Sequence, residues 1–144
     1  MPALTEPYEV KYKQSMIVAY PVAGNTTLYK GSLVGLNSNG YAVPMNHATA
    51  SLRFVGIAEE TVKNTGGNGE AMVRVVKSGS GVYQVPPLAG QADIGKDVYA
   101  VTDHEVQLNT AGLTNAYVVG TAVGLETTSR GATGLRVRID NHTK

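Results

Sequence analysis

Phe54-Val55-Gly56-Ile57-Ala58-Glu59-Glu60-Thr61-Val62-Lys63, the loop Asn64-Thr65-Gly66-Gly67-Asn68-Gly69, and the run Glu70-Ala71-Met72-Val73-Arg74-Val75-Val76-Lys77 decide how this chain is read. The two flanks are β-branched and apolar, as half-buried strands prefer. The loop between them is rich in residues that accept positive φ, so the stretch predicts a β-hairpin. The pattern returns near the C-terminus. Val118-Val119-Gly120-Thr121-Ala122-Val123-Gly124-Leu125-Glu126-Thr127 leads through Ser129-Arg130-Gly131-Ala132 into Gly134-Leu135-Arg136-Val137-Arg138-Ile139.

Working outward from the hairpin, Val55-Gly56 matches Val119-Gly120, Ala58 matches Ala122, and Arg74-Val75 matches Arg136-Val137. Gly31 and Val34 match Gly95 and Val98. The turn Ser38-Asn39-Gly40 matches Asp103-His104-Glu105, and Tyr41 and Val43 match Val106 and Leu108. The offset is about 62 to 65 residues. These matches predict an internal duplication with halves at approximately residues 30–79 and 94–140. Two copies are too few for a solenoid.

The remaining segments are short and extended. Tyr8, Val10 and Tyr12 alternate with Glu9, Lys11 and Lys13, which is strand periodicity. Residues 1–14 therefore read as an extended N-terminal arm, with 15–144 as one all-β domain. Such an arm pairs either with its own sheet or with a neighbouring subunit. Asn37-Ser38-Asn39-Gly40 predicts a type I′ hairpin turn. Residues 45–52 suggest a helical turn or a loop, and Leu88–Ile94 a short helix or coil. No segment sustains a 3.6-residue period. About ten strands with frequent turns predict a small β-barrel or sandwich, with a tulip-like arrangement also compatible. Gly35, Gly56, Gly120 and Gly124 fall inside strands, where glycine marks bulges or close backbone approach.

Composition narrows the function classes. A chain of 144 residues is one ordinary domain. With no cysteine, disulfides, thiolate nucleophiles and cysteine metal sites are excluded, which fits a reducing compartment. Twelve basic and 11 acidic side chains leave a net charge of +1, too little to draw nucleic acid or anionic lipid. Charged residues are only 16%, against about 25% in an average domain, while 42% are hydrophobic. That balance suggests that a partner covers part of the surface. No apolar run approaches the ~20 residues of a membrane helix. Met1–Pro7 lacks the features of a signal peptide, so a cytoplasmic origin is expected.

Candidate chemistry is sparse. His47, His104 and His142 lack metal-ligand spacing and read as solvated residues, with Asp103-His104-Glu105 in a turn. Glu59 and Glu60 alternate in a strand, so they are expected on opposite faces, in ion pairs with Lys63 and Arg74. Gly79-Ser80-Gly81 is not a nucleophile elbow, and Gly66–Gly69 lacks the lysine and helix of a phosphate loop. No catalytic residue, cofactor or metal is nominated, and no enzyme activity is expected. Arg136 and Arg138 alternate with Leu135, Val137 and Ile139, placing a short basic stripe on one strand face. That stripe is either a solvated face or a contact for acidic groups of a protein partner.

Taken in order, Lys30-Gly31-Ser32-Leu33-Val34-Gly35, Phe54-Val55-Gly56-Ile57-Ala58, the return strand Gly69–Val76, Ile94-Gly95-Lys96-Asp97-Val98-Tyr99, Val119-Gly120-Thr121-Ala122 and Leu135-Arg136-Val137-Arg138-Ile139 resemble the capsid cement (head decoration) proteins of tailed bacteriophages. The resemblance runs from about Lys30 to Ile139. It implies a small β-protein on the capsid exterior, made in the host cytoplasm. It also implies trimers at local threefold positions that contact the major capsid protein without catalysing a reaction. Tyr8, Val10 and Tyr12, with Arg136 and Arg138, are the expected capsid or subunit contacts, since tyrosine suits interfaces. The alternatives are a phage tail or baseplate β-structural protein and a carbohydrate-binding β module. The latter would need an exposed platform among Tyr29, Tyr41, Tyr83, Tyr99 and Tyr117.

Overall fold

The computed structural model describes residues 3, 5–7, 16–85 and 89–144. Tyr8, Val10, Tyr12 and most of the expected arm lie outside the described residues. The first half forms β1 (Ile17–Pro21), β2 (Thr26–Leu28), β3 (Leu33–Leu36), β4 (Ala42–Pro44), β5 (Arg53–Ala58), β6 (Val62–Asn64) and β7 (Met72–Val76). The second half forms β8 (Ser80–Gln84), a 3-10 turn at Gln91–Asp93, β9 (Asp97–Ala100), β10 (Val106–Gln107), β11 (Val118–Thr127) and β12 (Thr133–Arg138). The fold is all-β. Among the described residues, no helix is long and apolar enough to cross a membrane.

Two five-stranded antiparallel sheets run β1-β7-β5-β3-β4 and β10-β9-β11-β12-β8, and β2 pairs with β6 as a separate ribbon. Read from the opposite end, the second sheet has the connectivity of the first. Val34 pairs with Gly56 and Gly35 with Phe54, across a register shift. Val98 pairs with Gly120 and Tyr99 with Val118, across another. Gly31 N–H donates to Ala58 O at 2.9 Å, and Gly95 N–H to Ala122 O at 2.7 Å. The correspondence also takes in β1 and β8, where Tyr20 faces Val73 and Tyr83 faces Leu135. Each sheet curls far enough for a parallel bridge between its edges, Val22 to Ala42 and Gln84 to Glu105.

Three local expectations are corrected. The central strand does not run from Phe54 to Lys63: β5 stops at Ala58, and β6 pairs with β2 instead. Asn64 secures that departure, donating to Val22 O, Ala23 O and Gly67 O and accepting from Gly66 N–H. At the Asn37–Gly40 turn Gly40 has φ 86° while Asn39 keeps a negative φ, so the turn is type I closed by a left-handed glycine rather than type I′. In the return strands, Ala42 and Val43 take the places of Val106 and Gln107, one residue from the sequence match. Tyr41, Ala42 and Val43 are all apolar, so alternation alone does not set their register.

Packing follows from these ladders. Val34, Val55, Val73 and Val75 on the inner face of the first sheet join Val22 and Ala42, and Leu28 and Val62 of the ribbon lie over them. The matching positions Val98, Val119, Leu135 and Val137 form the second core. That core is completed by Leu33, Met45, Leu52 and Phe54 of the first half. The second sheet thus packs its inner face on the outer face of the first, in a head-to-tail stack of three layers.

Candidate interaction surface

Arg136 and Arg138 stand on the outer face of β12, alternating with buried Leu135 and Val137. The pleat alone sets this orientation, since successive side chains on a strand face opposite ways. Across the sheet Arg136 lies between Gly124 of β11 and Val82 of β8, and Arg138 between Thr121 and Ser80. Arg138 Nε donates to Asp140 Oδ2 at 2.9 Å. Asp140 Oδ1 accepts the Gly79 N–H at 2.7 Å. That backbone bond, and then Arg138, holds the Asp140 carboxyl below the usual aspartate value. Arg136 Nε donates to Ser80 Oγ at 3.0 Å and, among the described residues, has no ion pair.

The first sheet offers a comparison. Arg74 holds the place of Arg136, but Nη2 lies 2.8 Å from Glu60 Oε2, and Nε lies 3.7 Å from Glu59 Oε2. The hydrogen bond to Arg74 lowers the Glu60 carboxyl. Glu59 and Glu60 were expected on opposite faces of a strand. They lie instead in the bend after β5, which brings both to Arg74, and the expected Lys63 pair is not formed. In the second sheet Val123 and Gly124 occupy these two positions. Val123 sits at a register shift and is 41% exposed, and Val82 is 37% exposed.

A groove of about 740 Å³ opens beside β8, lined by Tyr29, Ser32, Ile57, Val82, Asp103 and Arg130 among others. Tyr29 projects there, 63% exposed. The Ser32 hydroxyl is buried without a hydrogen-bond partner, so no base activates it. Tyr83 forms part of the floor and donates to Gly31 O at 2.8 Å. Burial, and then the Asp103 charge, raises its hydroxyl so far that it stays a donor. Tyr117 is likewise tied to the main chain, through Thr49 O and Leu52 N. The hydroxyls of Tyr83 and Tyr117 are thus committed within the fold.

The histidines are spread through the molecule. His47 Nδ1 accepts the Thr114 N–H at 3.1 Å, tying two loops. His104 touches Asp103 Oδ1 at 3.2 Å, and His142 touches Thr121 Oγ1 at 3.2 Å. Among the described residues, no group of three acidic or histidine side chains is placed to hold a metal. Sequence reasoning found Arg136 and Arg138 but missed Val82, Val123 and Gly124. The available signal was the replacement of Glu59-Glu60 by Val123-Gly124 between matching segments. The orphaned Ser32 hydroxyl left no signal in the sequence.

No family model and no curated protein matches this chain.

Proposed function

We propose that this chain is a structural virion protein that binds the outer surface of a mature phage capsid and stabilises it. The observation that carries the reading is a set of exposed apolar side chains on the two sheets. Met16, Ile17 and Met72 are exposed on the side of β1 and β7, and Val82 and Val123 on the side of β8, β12 and β11. A low-charge chain with large apolar side chains in water on both of its sheets suits a protein that meets neighbouring subunits. The order of sequence phrases shared with cement proteins supports the same reading, and the repeated connectivity supports a duplicated half.

In this reading the major capsid protein is the partner. Copies cluster as trimers on the shell, and the arm carrying Tyr8, Val10 and Tyr12 adds contacts. Binding only to the expanded shell stabilises that state by mass action, and many copies per particle add avidity. A tail or baseplate role fits less well, because the apolar seat used for stacking is not repeated. Leu33, Phe54 and Ile57 give way to Asp97, Val118 and Thr121 at the matching positions. Co-sedimentation with expanded and unexpanded shells tests the proposal. Saturable binding to expanded shells alone is expected, with loss on deleting residues 1–14. Equal binding to both shells, or self-assembly into rings or tubes, would overturn it.

A further inference from the structure

The two matching sheets form an internal control. Arg74 and Arg136 occupy the same ladder position on the outer strand face, yet of the two only Arg74 has carboxylate partners among the described residues. Where Glu59 and Glu60 serve Arg74, the second sheet has Val123 and Gly124. Gly124 leaves an open floor: an added Cβ would meet only Arg136 Cβ at 3.8 Å, an ordinary contact. The ladder places Val82 opposite Arg136 on the other side. The result is a guanidinium flanked by two exposed valines and a glycine. Arg138 alongside is already neutralised by Asp140. Glu126, two ladder pairs further along β11, pairs with Gly134 and, among the described residues, makes no ion pair.

We infer that this face of β8, β12 and β11 docks an extended acidic segment of another protein, with a carboxylate on Arg136 and apolar side chains against Val82 and Val123. Charge complementarity selects the occupant. The first sheet satisfies the same guanidinium with two glutamates from its own chain, and the second leaves that position to be filled from outside. A planar guanidinium takes a carboxylate through two parallel hydrogen bonds, which gives direction as well as attraction. The flat glycine floor lets a partner backbone approach closely. On the capsid reading, the segment belongs to the shell; the docking chemistry does not depend on that identity.

Two measurements separate the inference from the capsid reading. In the first, the isotopically labelled full chain is titrated with a capped peptide alternating Glu and Val, with a Lys-Val peptide as control. Amide shifts confined to residues 80–84, 121–126 and 134–138 are expected for the acidic peptide alone. The double variant Val123→Glu/Gly124→Glu, which copies the first sheet, should abolish them while the remaining spectrum stays folded. Arg136→Ala should weaken binding roughly tenfold. Absent shifts, shifts spread over the surface, or equal response to the Lys-Val peptide would overturn the inference. In the second, wild-type and double-variant chains are sedimented with expanded shells. Wild-type failure sinks the capsid reading while the titration still decides the face. Equal binding by both proteins sinks the inference and leaves the capsid reading standing.

Discussion

A Cβ on Gly56 would run into the Val76 carbonyl oxygen, and one on Gly120 into the Arg138 carbonyl oxygen. Gly56 also has φ 144°, where side chains are strained. Gly56→Ala and Gly120→Ala should each cost about 3 kcal/mol in denaturant unfolding, since a backbone oxygen has nowhere to go. Gly31→Ala is the contrast. Its φ is 89° but its Cβ would meet open space, so about 1 kcal/mol is expected. Asn64, 3% exposed, ties four backbone groups of the ribbon and its loop and satisfies its own buried amide in doing so. Asn64→Ala should cost about 3 kcal/mol by the same measurement. The strand glycines were legible in the sequence because glycine is costly in a strand without a reason. Asn64 was not, since an asparagine beside Gly-Gly looks like any turn residue.

Among the elements, the β2–β6 ribbon and the outer face of the first sheet do comparable work for different cores. Leu28 closes the first core and Phe54 enters the second. Leu28→Ala should destabilise by about 3 kcal/mol and Phe54→Ala by about 4 kcal/mol. Their hydrogen-exchange signatures should differ. Loss of Leu28 should raise exchange first in β2, β6 and β4, and loss of Phe54 first in β9 and β11. Identical patterns would mean that the two cores are not separable. The ribbon was illegible from sequence because Thr61–Asn64 continues the apolar alternation of β5. The bend at Glu59-Glu60, held by Arg74, and the bonds of Asn64 redirect it.

At the scale of the molecule, head-to-tail packing leaves Asp97, Val118 and Thr121 outward where Leu33, Phe54 and Ile57 form a seat. An outer face without that apolar seat gives a further sheet nothing to pack on. Asp97→Leu/Thr121→Ile should restore part of that seat and produce concentration-dependent association in size-exclusion chromatography; a variant that stays at wild-type size at all concentrations would refute the stacking account. Acid sensitivity is also a property of the whole. Glu60, Asp93 and Asp140 all have lowered carboxyl values, through Arg74, through Lys96, and through the Gly79 N–H with Arg138. Their stabilisation is full above the ordinary values of 4.5 and 3.8 and is lost as pH falls through the lower folded values. All three are half-buried at the surface and still reached by water, so solvent screening keeps each contribution small. Asp140→Asn should flatten the dependence of Tm on pH below about pH 4.5, and an unchanged slope would show that this carboxylate is not coupled to folding.

The sequence by itself determined the all-β class and the outward direction of Arg136 and Arg138, because strand alternation is a local property. It also carried the correspondence between segments that the two ladders share. Only the tertiary structure decided that the second sheet takes the back of the first as its lid, that β6 leaves the central hairpin, and that Glu59 and Glu60 meet one arginine. Those outcomes depend on which apolar face finds cover and which backbone groups find partners at long range, and alternation within a strand carries neither.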